Sequence, residues 1–224
     1  MIIAIHQPNY LPYLGFFDKM KKSDIFVIHD DSQFSRQDFH HRNRIRTDQG
    51  WQWLTVPVNK KEIPINEIKI KNEFGRGGKP DWSYAHFMVI RNNYVKTPYY
   101  KTHEDWLRKI YEGGYEKLMD LNMTLIRFLI KTFDIDIKIV YSSNFGFKSR
   151  STQKIIDTVE KLGGDTYLSG SGGKNYMDIS LLKKSGIKLE FQDFKHPVYR
   201  QRYKGFEPNM AAIDALFNVG KMPE

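Results

Sequence analysis

The segment IHQPNY, from Ile5 to Tyr10, places several groups that can do chemistry directly after an apolar run. His6 can act as a general acid or base, and Gln7, Asn9 and Tyr10 can hydrogen-bond a ligand. The backbone N–H groups of such a loop, with the start of a following helix, can bind a phosphate or a carboxylate. In the alternative interpretation, His6 and Asn9 only cap local turns.

A second polar cluster, Asp30 and Asp31, follows the next apolar run, Ile25 to Ile28. A β-loop-α-β unit places parallel strands side by side with their C-terminal ends at one edge of the sheet, so His6 and Asp30 are expected on one rim. His6 and Asp30 are therefore the candidate catalytic bases. Asp31 is a candidate substrate contact, and the two aspartates could bind a ribose hydroxyl, an amine or Mg²⁺. The alternative is that they cap the next segment.

Hydrophobic periodicity predicts the elements that position these groups. Strands are predicted at 1–5, 24–28, 135–141, 166–168 and 186–194, and helices at 13–22, 151–162 and 210–219. Three helical segments fill 82–133, and alternation at 51–57 and 65–70 predicts a hairpin. The stretch FGRGGKPDW predicts a flexible connector in which Asp81 caps the helix that follows.

These elements predict an α/β fold that is Rossmann-like. Its mostly parallel sheet comes from the N-terminal and C-terminal parts, with a central helical segment and a small β-hairpin between them. We expect a single domain over residues 1–224, with a helical subdomain at about 80–134.

The basic stretch HHRNRIR, His40 to Arg46, contains alternating arginines. In an extended segment Arg42, Arg44 and Arg46 point to one side, where they could bind phosphates, and Asn43 is a further candidate substrate contact. The alternative is a solvated edge strand whose charges discourage aggregation. The adjacent histidines lack the spacing of a metal site, and no metal ligand set is predicted.

The stretch YLSGSGGKNYMD runs from a predicted strand end into a glycine-rich turn. Ser169 and Gly170 allow close backbone approach to an anion, and Lys174 adds a point charge. The alternative is a flexible turn before a short helix. The stretch is not a P-loop, because its spacing is short and Asn175 stands where a Ser or Thr would hold Mg²⁺.

Near the C-terminus, HPVYRQRYKGFEPNMAAIDALFN contains alternating aromatic and amide side chains. Tyr199 and Gln201 would share one face of a strand and are candidate small-molecule contacts. Asp214 is interpreted as a helix-surface or capping residue, although its apolar neighbours also allow burial.

Composition narrows the function classes. Thirty-five Lys and Arg against 26 Asp and Glu give a formal charge of +9, which suits an anionic partner or a generally basic surface. The absence of cysteine excludes disulfides and thiolate chemistry, and no export signal or membrane span is recognised, so we expect a cytoplasmic protein. The common hydrolase, metalloprotease and dehydrogenase motifs are absent.

The whole chain resembles the WbqC-like protein family. The resemblance rests on IHQPNYLPYLGFFDKM, SDIFVIHDDSQFSRQDFHHRNRIRTDQGWQWLTVPV, RNNYVKTPYY, YLSG and HPVYRQRYKGFEPNMAAIDALFNVG, which run from Ile5 to Gly220. The family is typically associated with bacterial polysaccharide or O-antigen gene clusters. The resemblance therefore implies a role around nucleotide-linked sugars.

Three functions are compatible with these residues. The first is a transferase of bacterial polysaccharide or O-antigen sugar biosynthesis, acting on a nucleotide-linked amino sugar by N-acyl or aminoacyl transfer. The second is a nucleotidyl-transfer or adenylating enzyme that uses ATP, with Mg²⁺ as the candidate cofactor. The third is a non-catalytic nucleotide or nucleic-acid binding protein. We expect a nucleotide-linked sugar or another nucleotide as the partner, in preference to nucleic acid.

Overall fold

The structure is a computed structural model that describes residues 1–59, 62–72, 81–175 and 177–223. The described strands are β1 (Ile2–His6), β2 (Ile25–Ile28), β3 (Arg42–Thr47), β4 (Gly50–Thr55), β5 (Lys138–Tyr141), β6 (Thr166–Ser169) and β7 (Lys188–Phe191). The described α-helices are α1 (Leu14–Lys21), α2 (Trp82–Tyr94), α3 (Tyr100–Tyr111), α4 (Leu118–Thr132), α5 (Ser151–Lys161), α6 (Ile179–Lys184) and α7 (Ile213–Val219).

The chain forms two compact units, each built from separate segments. The first contains Met1–Pro8, Gly15–Ser32 and Ile135–Lys195; the second contains Asn9–Leu14, Gln33–Asp134 and His196–Glu224. The single-domain expectation stays a prediction.

The first unit is built on a five-stranded sheet in the order β5-β2-β1-β6-β7, with parallel pairing between neighbours. Both faces of this sheet are covered, as is usual for parallel sheets. The β1 residues Ile3 and Ile5 belong to a core cluster that includes Val159 of α5 and Leu182 of α6. The predicted mostly parallel sheet from the two ends of the chain is confirmed.

The opposite face of the sheet packs on α1. Phe26 of β2 contacts Phe16 of α1, with ring centroids 5.2 Å apart. Side chains alternate along a strand, so His6 shares the face of Ala4, which pairs with Phe26. The alternation of β1 therefore directs His6 to the α1 side, where its ring packs edge-on against Phe16 at 4.9 Å.

The second unit contains the helices α2, α3, α4 and α7 and the antiparallel β3–β4 hairpin. The three helices predicted within 82–133 are confirmed, and the side chain of Asp81 accepts a hydrogen bond from the Ser83 N–H at the start of α2. The rest of the predicted connector, 74–80, lies outside the described residues.

The predicted small β-hairpin is confirmed, but its predicted pairing is wrong, because 50–55 pairs with β3 and not with 65–70. The 65–70 segment begins with a 3-10 helix, Ile65–Glu67, and meets 57–59 at the bridge Val58↔Ile70 and the backbone hydrogen bonds beside it. Ile65 and Ile68 are both fully buried, and their three-residue spacing suits a helical turn better than a strand.

Candidate functional site

The candidate site of the first unit is the C-terminal edge of the parallel sheet. Loops leave β1 and β6 there, and these adjacent strands lie where the chain order of the sheet reverses. Ligands of open parallel sheets bind at such a point, outside the carboxyl ends of the strands. The pairing ends at Ala4↔Leu168, and the same register continued by two residues places His6 level with Gly170. Neighbouring strands are about 4.8 Å apart, so these two backbones are close.

The imidazole of His6 is half-buried at the end of β1. Its Nδ1 lies 2.9 Å from the carbonyl oxygen of Gln7. A carbonyl oxygen only accepts hydrogen bonds, so Nδ1 is the protonated nitrogen and the lone pair of the neutral ring is on Nε2. The tautomer therefore suits a base that acts through Nε2.

Asp30, at the end of β2, is 4 % exposed and holds the segment that follows β5. One carboxylate oxygen accepts from the Ser143 N–H at 3.0 Å and from Ser142 Oγ at 3.2 Å, and the other accepts from Ser143 Oγ at 2.7 Å. These contacts order the 3-10 helix Ser142–Phe145, which lies far along the chain, and not the segment that directly follows Asp30.

Asp31 is the centre of a second set of contacts beside Asp30. It accepts hydrogen bonds from Lys154 Nζ, at 2.6 Å, and from Ser142 Oγ, and its carboxylate lies 3.7 Å from His29 Nε2. Burial raises the pKa of Asp31. The hydrogen bonds from Lys154 and Ser142, together with the positive charge of Lys154, outweigh burial, so the pKa lies below its ordinary value. Burial, followed by the charge of Lys154, lowers the pKa of His29.

The two aspartates therefore already have protein partners. No group of three or more His, Cys, Asp or Glu side chains placed to hold a metal ion occurs in the described part of the chain. A role of Asp30 and Asp31 in binding Mg²⁺ stays a prediction.

The glycine-rich turn after β6 is tightly wound. Ser169 is buried, its Oγ donates to the Gly170 carbonyl at 3.1 Å, and the Gly173 N–H donates to that carbonyl at 3.0 Å. A Cβ on Gly173 would lie 2.1 Å from Ser169 Oγ, so only glycine fits there. The ammonium of Lys174 is exposed and lies 4.8 Å from the ring centroid of Phe191 at the end of β7. The turn thus presents backbone and one cation at the sheet edge.

Sequence reasoning missed two polar residues of this unit. Gln192, directly after β7, donates from Nε2 to the Gly15 carbonyl at 2.8 Å and to Asp18 Oδ2 at 2.6 Å. Lys19, 2 % exposed, donates to the Ile5 carbonyl at 2.8 Å, and burial lowers its pKa to about 7. The position of Gln192 at a strand end is a signal that could have found it, whereas Lys19 resembles any basic residue of an amphipathic helix.

Asn9 and Tyr10, predicted with His6, belong to the second unit, and both are buried. Tyr10 Oη lies 2.8 Å from Nδ1 of His86 and 2.5 Å from Oη of Tyr111. Burial, then the neighbouring Tyr111, raises the pKa of Tyr10 well above its ordinary value. In this unit Tyr10 is part of a buried network that joins the 9–14 segment to α2 and α3.

The predicted basic row lies on one face of the β3–β4 hairpin. We call Arg42, Arg44, Arg46, Trp51 and Trp53 the Arg–Trp face. The guanidinium carbon of Arg42 is 4.6 Å from the ring centroid of Trp53, and that of Arg44 is 5.0 Å from Trp51. Arg46 is buried and donates to the carbonyls of Thr47, Gly50 and Lys204.

Asn43 lies on the opposite, buried face of β3. Its side chain is 1 % exposed and donates to the Leu11 carbonyl at 2.6 Å. The adjacent His40 and His41 are also buried, and burial lowers the pKa of each to about 4. These residues hold the hairpin within the second unit.

Tyr199 and Gln201 contact a buried carboxylate. Asp214 of α7 is fully buried; its Oδ2 accepts from Tyr199 Oη at 2.7 Å and Gln201 Nε2 at 2.8 Å, and its Oδ1 accepts from Tyr94 Oη at 2.8 Å. Burial raises the pKa of Asp214 above its ordinary value, although the hydrogen bonds of Tyr199, Tyr94 and Gln201 oppose the shift. The burial alternative for Asp214 is confirmed. The strand expected through Tyr199 and Gln201 is wrong, because that segment is not paired in a sheet.

None of the helices in residues 1–59, 62–72, 81–175 and 177–223 combines the length and the hydrophobicity that crossing a bilayer requires. In comparisons with known proteins, no solved structure matches this chain. The chain is 32% identical over 220 residues to the uncharacterized protein Rv1507c of Mycobacterium tuberculosis, covering 97% of this chain and 94% of that protein.

A family model covers nearly the whole sequence, from residue 7 to residue 223, and includes both units except for the first strand. On this match, and on the similarity to the mycobacterial protein, the chain belongs to the WbqC-like protein family.

Proposed function

We propose that the chain is an enzyme of bacterial polysaccharide or O-antigen sugar biosynthesis that transfers an acyl or aminoacyl group to the amine of a nucleotide-linked sugar. The observation that carries the proposal is the pairing of β1 with β6 at the reversal point of the sheet. Its register, continued by two residues, supports a position of His6 beside the glycine-rich turn. Counted along the chain, the sheet order is third, second, first, fourth, fifth, which is the order of a Rossmann-like fold.

In this proposal the turn after β6 binds the diphosphate of the nucleotide. Ser169 and Gly170 offer backbone without bulky side chains, and a Cβ added at Gly170 would meet no atom within 4 Å. Lys174 supplies the positive charge. The loop after β1, with Gln7, then faces the sugar.

His6 acts as the general base. The sugar amine attacks the carbonyl carbon of an activated acyl donor, a C–N bond forms, and the bond to the leaving thiol or alcohol breaks. The proton lost by the amine passes to His6 Nε2, which returns it to the departing thiolate or alkoxide. Asp30 is the less favourable base, because both of its oxygens accept hydrogen bonds from Ser142 and Ser143.

Asp31 belongs to the first unit, and its contacts with Lys154 and Ser142 suit a role in ordering the loop beside the site. The other predicted substrate contacts lie in the second unit and stay predictions of their own, outside the site at the sheet edge: Asn9, Tyr10, Arg42, Asn43, Arg44, Tyr199 and Gln201. A cytoplasmic location, where nucleotide-activated sugars would be at hand, completes the proposal.

Ligand-induced thermal stabilisation tests the binding half of the proposal. A dTDP-linked or UDP-linked amino sugar at 100 times its Kd should raise the Tm by about 5 to 10 °C. Lys174→Ala should reduce that shift, whereas Lys183→Ala, which removes an exposed charge on α6, should leave it unchanged. The absence of a shift with every nucleotide sugar and nucleotide tested would contradict the binding site.

Product analysis tests the chemical half. The nucleotide sugar that binds is incubated with acyl thioesters or aminoacyl esters, and mass spectrometry detects the N-acylated sugar. His6→Ala should reduce product formation at least 100-fold while the Tm shift persists. His103→Ala is the matched control, because His103 packs on Phe128 in the second unit. Full turnover in His6→Ala would reject the role of His6.

A further inference from the structure

We infer that the Arg–Trp face of the β3–β4 hairpin binds single-stranded nucleic acid. This inference goes beyond the proposed function and does not depend on it. It rests on a row of exposed aromatic rings, on arginines that form no ion pair with a described residue, and on the position of the arginines and both tryptophans on one face of the hairpin.

The aromatic rings form a row along the hairpin. The ring centroids of Phe39 and Trp53 are 5.9 Å apart, and those of Trp53 and Trp51 are also 5.9 Å apart. The three side chains are 40%, 38% and 41% exposed in the order Phe39, Trp53, Trp51. Large exposed aromatics that are grouped in this way mark an interaction surface more often than isolated ones.

The arginines supply positive charge beside this row. Arg42, Arg44 and Arg46 belong to no ion pair between described residues. Arg42 donates a hydrogen bond to the Gln37 carbonyl, and Arg44 donates one to the Asn209 carbonyl. The guanidinium groups of both arginines also lie over indole rings. Stacking and a backbone anchor hold each guanidinium in place without neutralising it, as a phosphate-binding group requires.

The register explains why these groups share one surface. Arg44 pairs with Trp53 and Arg46 with Trp51, so all four side chains leave the same face of the hairpin. Ile45 and Leu54, on the other face, are buried. The hairpin is therefore anchored by its apolar face and by the buried Arg46, and it presents Arg42, Arg44, Trp51 and Trp53 outward.

A single-stranded nucleic acid fits this surface better than other anionic partners. Unpaired bases stack on aromatic rings and on guanidinium planes while the phosphates meet the arginines, whereas duplex bases have no free faces. Three rings in a row offer more stacking surface than one nucleotide can use. A membrane partner is disfavoured, because the turn of the hairpin carries Asp48 and Gln49 and the tryptophans lie within the strand.

The direct test is fluorescence anisotropy of fluorescein-labelled U12 RNA and dT12 DNA titrated with the full chain. We expect binding of one or both oligonucleotides at 50 mM salt, with affinity that falls steeply by 200 mM salt. Arg42→Ala/Arg44→Ala should reduce the slope of log K against log salt by about 1.4, because each phosphate contact to a single strand contributes about 0.7. Arg108→Ala/Arg127→Ala, on α3 and α4, removes the same charge elsewhere and should leave the slope unchanged.

Stacking is tested separately from charge. Trp53→Ala should weaken binding about 5- to 100-fold, and Trp53→Phe should restore much of it. The matched control is Tyr84→Ala, because Tyr84 is 56% exposed and belongs to α2, not to the hairpin. Melting curves followed by circular dichroism establish that each variant is folded.

Several results would overturn the inference. They are no measurable binding to either oligonucleotide at 50 mM salt, equal competition by UMP and U12 on a molar basis, or unchanged binding in the Trp53 and arginine variants. The chain could instead bind vesicles that contain anionic lipid, lose that binding in the same variants, and bind neither oligonucleotide. That result would show that the face binds membranes, and it would reject the inference. The readout is binding alone, so it is independent of nucleotide-sugar turnover.

Discussion

The sheet edge of the first unit and the interior of the second unit contain similar polar side chains in different surroundings. At the sheet edge, His6 is half-buried beside a glycine-rich turn and Lys174 is exposed. In the second unit, Tyr10 pairs with His86, and Tyr94 pairs with Asp214, and all four side chains are buried. The comparison shows that solvent exposure at the sheet edge distinguishes these candidate ligand contacts from the buried structural residues better than residue type does.

Two carboxylates show the same difference in electrostatic terms. Asp31 is partly exposed and has Lys154 as a partner, so its pKa is lowered despite burial. Asp214 has only neutral hydrogen-bond donors in direct contact, and burial raises its pKa. The first contributes to stability as a charged group, whereas burial opposes the charge of the second.

Removing the Asp214 carboxylate should have the largest effect. Asp214→Ala leaves the hydroxyls of Tyr94 and Tyr199 and the Gln201 amide without their acceptor, so the free energy of unfolding should fall by about 3 kcal/mol. Thermal denaturation should show a decrease in Tm of about 6 to 12 °C. Asp136→Ala, at an exposed position, is the control. A Tm within 2 °C of the wild type would show that the buried network is not structural.

The turn after β6 should respond to a single methyl group. Gly173→Ala places a Cβ against Ser169 Oγ and Met177 Cε, so the free energy of unfolding should fall by about 1 to 3 kcal/mol. Gly172→Ala is a close control, because a Cβ there meets no atom within 4 Å. Urea denaturation measures both variants. Equal stability of the two would show that the turn is not tightly packed.

The Tyr10 hydroxyl should stabilise the second unit more modestly. Tyr10→Phe removes the partner of His86 Nδ1 and of the Tyr111 hydroxyl, and the expected loss is about 1 to 2 kcal/mol. Tyr84→Phe, at an exposed position, should change stability by less than about 0.5 kcal/mol. Urea denaturation compares the pair. If Tyr10→Phe loses nucleotide-sugar binding but keeps its stability, Tyr10 contacts the ligand and its hydroxyl is not structural.

The smallest of the expected effects is the pH dependence of stability that Asp31 and Asp214 contribute, and it should have opposite signs for the two groups. The folded pKa of Asp31 lies below its unfolded value of about 3.8, so its contribution is present above that value and is lost as the pH falls through the folded pKa. Asp31→Asn should therefore lose less stability than the wild type on acidification. The folded pKa of Asp214 is raised, so its contribution is present below about 3.8 and is lost as the pH rises through the folded pKa.

Stability curves between pH 2 and pH 7 test this contrast. Asp31→Asn and Asp214→Asn should change the slope of stability against pH in opposite directions. Equal changes in both variants would contradict the assignment of opposite pKa shifts.

The sequence predicts the first unit well because its strands are short apolar runs separated by recognisable turns. The position of His6 at the end of β1 and of Ser169 at the end of β6 follows from those runs and from the handedness of parallel connections. The row of arginines was also predictable from alternation, because a period of two is the signature of a strand face.

The contacts of the second unit are harder to predict from sequence, because its polar side chains form hydrogen bonds with residues that are far away in the chain. Tyr10 meets His86 and Tyr94 meets Asp214, and periodicity records neither contact. The segment 65–70 was misread because an isoleucine every two or three residues fits a strand and a helical turn alike. The local hydrophobic pattern therefore predicts most helices and strands, whereas tertiary contacts determine which polar residues are buried.

The pairing of β1 with β6 also has a consequence for how the chain is made. β1 is an inner strand, but Thr166, the β6 partner of Ile2, is synthesised about 160 residues later. At 5 to 20 residues per second, one hydrogen-bonding edge of β1 waits roughly 10 to 30 s for that partner. An apolar strand with an open edge pairs readily with other chains. The nascent protein is therefore most exposed to aggregation during this interval, and a chaperone that covers the first strand would have its greatest effect then.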